Sequence, residues 1–389
     1  MPTVDFKTRT EIVSYQSPEK KGEWVIGIDL GYSSVKGMCS NKYFCIPSYI
    51  QKVPDNAARI DTPSDTDIVY KDEEGGIWYI GNLAYDLAEA CNLTDNYEEL
   101  FGQDRYYTNS YIILSEVGTA IGLMGNQYSS RGDKKIVIQA GLPPLYLENG
   151  KESVKNVFGG HHKFSLKIGK MDWKDFEYDI DPDDVYLMSQ PLGALMSATL
   201  DKNGRSIPNA KEYIKSDIMV FDPGFGTLDL FNVRKGNVVG SNTDPDGGMR
   251  KIFDKTCNDL FEVYGRKFTI SQLQNYLEDG YIKIANKSNA RKRSLESNSY
   301  SFEKVLEANS KSVFDRVIDN LIQTYNIAEN YNYILLTGGT SEAWRPYIFE
   351  AFARANTIKI ISANANDPKL SNIYSNVRGY FLYRLGASR

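Results

Sequence analysis

Two short stretches of this chain can be laid on each other, from 29 to 222, a step of 193 residues. Asp29-Leu30-Gly31-Tyr32-Ser33-Ser34-Val35-Lys36 matches Asp222-Pro223-Gly224-Phe225-Gly226-Thr227-Leu228-Asp229 in kind. In each, an apolar run ends in Asp, and glycine follows two residues on. An aromatic, a small residue, a hydroxyl, an apolar residue and a charge complete the pattern. One copy alone reads as an ordinary hairpin turn. Two copies, each opening its own alternation of strands and helices, call for two similarly folded α/β halves that face each other.

Such turns offer specific chemistry. Gly31, Gly224 and Gly226 allow a ligand close to the backbone, and successive N–H groups in a tight turn form a concave anion site. The hydroxyls of Ser33, Ser34 and Thr227 can bond the same oxygens, and Lys36 adds positive charge. Opposed in this way, the two turns suit a polyphosphate held from both sides. Asp29 and Asp222, at the strand ends, suit a hydrated Mg²⁺, which keeps several waters and uses few carboxylates. The alternative for each Asp is a turn cap bonded to its own backbone.

Composition narrows the remaining classes. The chain has 389 residues, 41% hydrophobic and 24% charged, which suits two to three folded domains and excludes wholesale disorder. A net charge of -5 argues against a whole-protein grip on nucleic acid. Cys39, Cys45, Cys91 and Cys257 form no C-x-x-C pair, so inert thiols in a reducing compartment are expected. Only His161 and His162 are available for a histidine metal site or a serine-histidine triad, and a surface hairpin is their expected place. Residues 1–22 lack the apolar core of a signal peptide, and no run of about 18 apolar residues occurs. A cytoplasmic chain with no membrane partner is expected.

Strands are expected at Trp24–Asp29, Ser34–Met38, Ile77–Ile80, Ile136–Ala140, Val185–Met188, Asp217–Phe221, Leu228–Val233, Tyr333–Leu336 and Thr357–Ile361. Helices are expected at Leu83–Cys91, Asn109–Met124, Leu192–Leu200, Gly248–Tyr264, Ser271–Leu277, Phe302–Ala328, Ser341–Ala355 and Leu370–Leu385. The polar stretch Asp201–Ser216 reads as a linker. Rival nucleotide motifs fail. Gly150-Lys151 and Gly169-Lys170 lack the following Ser or Thr of a Walker loop. Gly224-Phe225-Gly226 has Asp229 where a dinucleotide fingerprint needs its third glycine, and a strand where it needs a helix. A further glycine turn, Thr337-Gly338-Gly339-Thr340-Ser341, joins a strand to a helix and can admit a nucleoside or its α-phosphate to the backbone.

Taken together, these segments resemble the actin, Hsp70 and sugar-kinase superfamily. The first turn is similar to its phosphate 1 motif, the second to its phosphate 2 motif, and Thr337–Ser341 to its adenosine motif. Gln190, in Met188-Ser189-Gln190-Pro191-Leu192-Gly193-Ala194, resembles the connect 1 position, where actin has a water-positioning Gln. Asn376-Val377-Arg378-Gly379 resembles connect 2, a crossing of small residues. The matches run from about residue 24 to 385. Within the superfamily the chain most resembles the bacterial actin-like proteins that segregate plasmids, the ParM family, and similar archaeal actin-like proteins. Tyr79-Ile80-Gly81-Asn82-Leu83-Ala84 and Gly141-Leu142-Pro143 look typical of that branch. Two departures stand out: Tyr32 replaces a small hydroxyl of actin, and several plasmid-segregation relatives carry Glu where Gln190 stands.

The resemblance implies an α/β actin-like fold of two ribonuclease-H-like domains with a nucleotide cleft between them. Domain I would take residues 23–189 and 366–389, with subdomain IB at about 50–105. Domain II would take 190–365, with IIB at about 250–305, and residues 1–22 would be a polar N-terminal extension. ATP or GTP with Mg²⁺ would bind at Gly31, Tyr32, Ser33, Ser34, Lys36, Gly224, Phe225, Gly226, Thr227, Gly338, Gly339 and Thr340. Asp29 and Asp222 would hold the metal through water. Gln190 would orient the attacking water, and Asp222 would help to deprotonate it. The family's partners are further copies of the chain, in a filament, and an adaptor protein clustered on centromere-like plasmid DNA, with no direct specific DNA binding. A small-molecule kinase on the same frame and a purely cytoskeletal filament remain open. The basic run Lys287–Arg293 reads as a surface loop or filament contact, and Arg105-Tyr106-Tyr107-Thr108 as a candidate subunit contact.

Overall fold

The computed structural model describes residues 3–55, 62–90, 104–125, 131–235, 237–285, 297–352 and 358–387. Cys91 and the basic run Lys287–Arg293 lie outside them. In chain order the first part runs β1 (Glu11–Ser14), β2 (Glu23–Leu30), β3 (Ser34–Cys39), β4 (Lys42–Pro47), β5 (Ile50–Lys52), β6 (Ile68–Lys71), β7 (Ile77–Ile80), α1 (Asn82–Ala90), α2 (Asn109–Leu123), β8 (Lys135–Leu142), α3 (Leu147–Phe158), β9 (Gly160–Ile168), β10 (Lys174–Ile180), β11 (Val185–Ser189) and α4 (Gln190–Thr199).

The second part runs α5 (Ala210–Lys215), β12 (Ile218–Pro223), β13 (Leu228–Arg234), β14 (Asn237–Asp244), α6 (Met249–Tyr264), α7 (Ile270–Tyr276), β15 (Tyr281–Ala285), β16 (Ser297–Ser301), α8 (Glu303–Tyr325), α9 (Ile327–Asn330), β17 (Tyr333–Leu336), α10 (Gly339–Phe352), β18 (Lys359–Ser362) and α11 (Ser375–Gly386).

Two sheets share one plan. The first has the order β1-β4-β3-β2-β8-β11, and the third has β14-β13-β12-β17-β18. Each starts from a central strand, β2 or β12, that is buried along its whole length. That strand turns back antiparallel into β3 or β13, then pairs in parallel with a strand reached through helices, β8 or β17. Strands buried on both faces read as apolar runs, which is why Trp24–Ile28 and Ile218–Phe221 are legible in the sequence. The register is repeated too: Asp29 faces Lys36 across β2 and β3, and Asp222 faces Asp229 across β12 and β13. A second sheet, β10-β9-β6-β7-β5, extends the first half.

Two helices change sides between the halves. α4 leaves the first sheet but lays Ala194, Leu195 and Ala198 against Ile218, Val220, Phe231 and Leu335 of the third. α11 leaves the third sheet but lays Val377, Tyr380 and Phe381 against Val25 and Val137 of the first. They cross where Gly193 meets Gly379: a Cβ on Gly379 would strike the backbone of Gly193. Only glycine at this crossing permits so close an approach.

Several expectations change. The described part of the expected polar N-terminal extension packs onto the fold, where Glu11–Ser14 pairs with β4. The 3₁₀ turn Thr3–Phe6 sits on the opposite half, where Phe6 is 2% exposed and joins the core around Phe253. Lys7 and Arg9 both reach Glu278, at 3.2 and 3.1 Å. A leader of four-residue elements carries no periodicity from which such pairing can be read. The linker reading of Asp201–Ser216 gives way to ordered structure: α5 forms there, and Leu200 bridges to Ser206. The expected surface hairpin fits His161 alone. His162 is buried, with its ring nitrogens at 3.0 Å from Glu116 and 3.1 Å from the Phe158 carbonyl. Among the described residues no helix is long and apolar enough to cross a membrane.

Candidate functional site

The duplicated turns face each other across a cavity of about 320 Å³. They share one internal bond: the Gly31 N–H donates to the Ser34 carbonyl at 3.0 Å, and the Gly224 N–H to the Thr227 carbonyl at 2.8 Å. Each glycine carbonyl is held by a hydroxyl from elsewhere, Ser48 for Gly31 and Thr340 for Gly224, both at 2.9 Å. The aromatic of each turn acts as its anchor. Phe225 lies 5.8 Å from Phe253, and the face of Tyr32 lies 4.4 Å from the Arg105 guanidinium carbon. The turns also touch directly, since a Cβ on Gly226 would collide with the Tyr32 ring.

The two aspartates are buried, each 5% exposed, and each is held by an amide at the start of a crossing helix. Gln190, first residue of α4, donates Nε2–H to Asp29 Oδ1 at 2.8 Å. Asn376, second residue of α11, donates Nδ2–H to Asp222 Oδ2 at 2.9 Å. Helix N-termini favour nearby negative charge, so both carboxylates lie where an anion is tolerated. Lys36 Nζ stands 3.6 Å from Asp29 Oδ2.

In the second half a carboxylate, not a cation, takes the equivalent place. Asp229 occupies the position equivalent to Lys36, and its Oδ1 accepts from Thr243 Oγ1 at 2.7 Å. Burial pushes the Asp222 carboxyl up to about 6, with Asp29 adding to the shift and the Asn376 bond opposing it. Burial pushes Asp229 up to about 7, against the Thr243 bond and with help from Asp222. Asp29, Asp222 and Asp229 thus crowd three carboxyls together, and among the described residues only Lys36 stands in ion-pair range of any of them, a local crowding of like charge that a cation beside them would relieve. Among the described residues no three His, Cys, Asp or Glu gather as a direct metal cage. The donor set therefore fits a hydrated Mg²⁺ held by few carboxylates rather than a fully protein-ligated ion.

Asp29, Gly31, Tyr32, Ser33, Ser34, Lys36, Gln190, Asp222, Gly224, Phe225, Thr227, Gly338, Gly339 and Thr340 all line this one cavity. Gly226 stands behind it, against Tyr32. Gly338 has φ +82°, and a Cβ there would strike the Asp222 carboxylate, so the third glycine turn closes directly on the second. The sequence reading missed Asp229, Asn376 and Arg105, together with the strap Asp5–Arg9, all of which line the same cleft. Position within the repeat could have found Asp229. Arg105, expected at a subunit contact, is instead 2% exposed and turned inward with Tyr106, whereas Tyr107 is exposed.

Residues 27–193 match the family described as the N-terminal domain of actin-like proteins. No curated protein matches the sequence. Among solved structures, a non-polymerisable quadruple mutant of the pCBH ParM is similar with a TM-score of 0.67 and 19% identity, covering 93% of this chain and 99% of that one. A 15-stranded ParM filament from Clostridium botulinum is similar with a TM-score of 0.63 and 20% identity, over 92% and 98% of the two chains. An archaeal actin homolog in complex with ADP is similar with a TM-score of 0.59 and 13% identity, over 92% and 98%.

Proposed function

We propose, for a chain with the actin-like fold whose residues 27–193 match an actin-like N-terminal domain, a nucleotide-driven filament that hydrolyses ATP or GTP and moves plasmid DNA. The observation that carries this reading is the paired arrangement of Gln190 on Asp29 and Asn376 on Asp222, set between two glycine turns of identical plan. Each half supplies a turn, a strand-end carboxylate and a helix start, so a triphosphate would be gripped by both halves at once.

The chain's own residues account for most of the chemistry, because phosphoryl transfer to water depends chiefly on positioning and charge. The turn amides and the hydroxyls of Ser33, Ser34 and Thr227 hold the phosphate oxygens. Lys36 neutralises part of their charge. The Gln190 amide N–H is committed to Asp29, which leaves its carbonyl oxygen to accept from a water and orient it. Asp222, with a pKa near 6, is suited to take that water's proton at neutral pH. A bound Mg²⁺, kept hydrated beside Asp29 and Asp222, would supply charge neutralisation for the phosphates.

The likeness to ParM structures, one of them a filament, supports self-assembly, and the adaptor is part of the same proposal by family resemblance alone. The net charge of -5 suits an adaptor-mediated link to DNA better than a direct one. A cytoplasmic setting goes with the same reading. The test is sedimentation with ATP and with GTP, with phosphate measured in the same tube. The proposal expects pelleting with at least one nucleotide, and phosphate release that lags it. No pellet with either nucleotide would refute the filament. Phosphate transfer only to an added hydroxyl compound would favour the kinase instead.

A further inference from the structure

Among the described residues Arg105 presents a buried charge without a carboxylate counter-charge. Its side chain is 2% exposed, and its Nε has no hydrogen-bond partner. No carboxylate among the described residues pairs with it. Three tyrosine rings enclose the guanidinium instead: Tyr32 at 4.4 Å, Tyr106 at 5.1 Å and Tyr111 at 5.3 Å. Such cation–π contacts offset only part of the cost of burying an arginine, which is why buried charges are normally paired. The side chain nevertheless lines the cleft shared by the two turns.

Its position indicates the missing partner. Tyr32 touches Arg105 on one side and Gly226 of the opposite turn on another, so Arg105 stands where the tips of the two turns meet. The aromatic cage holds the planar fork fixed and excludes water, the condition under which an arginine contributes most to binding phosphate oxygens. We propose that Arg105 is the triphosphate-sensing cation of this cleft: it pairs with the terminal phosphate of the bound nucleotide and stabilises the charge that develops there during hydrolysis. This rests on the nucleotide reading above, and it adds a residue on the first half that neither turn contains. Arg105 would count as catalytic because it touches the reacting group, whereas Tyr32 positions it.

The test compares ADP with the non-hydrolysable β,γ-imido analogue of ATP, titrated calorimetrically into wild type and Arg105→Gln. Wild type should prefer the triphosphate, and Arg105→Gln should lose at least tenfold of that preference with ADP affinity changed less than threefold. Its turnover at saturating nucleotide should fall roughly a hundredfold to a thousandfold. A preference kept within twofold in Arg105→Gln overturns the proposal. If wild type binds neither ligand, the nucleotide reading itself fails and this proposal with it. Should the variant not fold, wild-type protein labelled at the arginine side-chain nitrogens decides by NMR. A buried Nε signal that shifts with the imido analogue but not with ADP supports the assignment, and one that ignores both rejects it.

Discussion

Gln190 donates its amide to the carboxylate of Asp29 at 2.8 Å, and the helix it begins departs for the other half of the molecule. The bond thus ties the end of a first-sheet strand to the origin of a helix packed on the third sheet. Asn376 does the reverse for Asp222.

Replacing Gln190 by Ala removes that tie and leaves the turns in place. Nucleotide affinity should change by less than about fivefold, while turnover falls roughly a hundredfold, as expected when only a positioning group is lost. Steady-state phosphate release beside equilibrium binding separates the two. Equal losses in affinity and turnover would reassign Gln190 to binding.

The buried carboxyls give the ligand-free protein a specific pH dependence. Folding raises the Asp229 pKa from 3.8 to about 7, so the folded state holds a proton that the unfolded chain has already lost. Its contribution is therefore destabilising: absent below about pH 4, growing as pH rises, and complete above about pH 7. Asp229→Asn removes it, and should stabilise the nucleotide-free protein by roughly 4 kcal/mol at pH 8 and by nearly nothing at pH 4. Denaturant midpoints for both proteins across this range would show it. A constant difference between them would contradict the burial argument.

Gly379 offers a test in which the sign is informative. In an exposed helix Gly→Ala stabilises by up to about 1 kcal/mol. At residue 379 the added methyl would press on the Gly193 backbone, where nothing can yield without moving a helix. Gly379→Ala should therefore destabilise by about 2–3 kcal/mol, as read from chemical denaturation. A stabilised variant would mean that the helices can separate at no cost.

Phe6 should behave as a core residue despite its place near the start of the chain. It is 2% exposed and lies 6.5 Å, edge to face, from Phe253. Phe6→Ala should cost about 3 kcal/mol, and limited proteolysis should cut the variant between residues 3 and 10 well before wild type. Equal protease resistance would show that the strap does not depend on this anchor.

The architecture was legible wherever the signal was local. Both strand-end aspartates, the glycine turns and the buried central strands follow from short runs of residue types, and their repetition implies the paired halves. What escaped was set by distant pairing. Glu11–Ser14 has the composition of a loop and becomes a strand only against Lys42–Pro47. Asn237–Asp244, polar and exposed at the sheet edge, lacks the alternation of a half-buried strand. Arg105 looked like surface because arginine is seldom buried, and only the fold brings three aromatic rings around it. The Asn376–Asp222 bond spans 154 residues, a separation that no local pattern encodes.

The ring of Tyr32 resting on Gly226 works as a shim between opposing walls. The ring sets how closely the turns approach at that point, since not even a Cβ fits between it and residue 226. A bulkier residue at 226 would wedge the walls open, while a trimmed one at 32 would let them sag together. The spacing on which the site depends is therefore carried by the polypeptide itself.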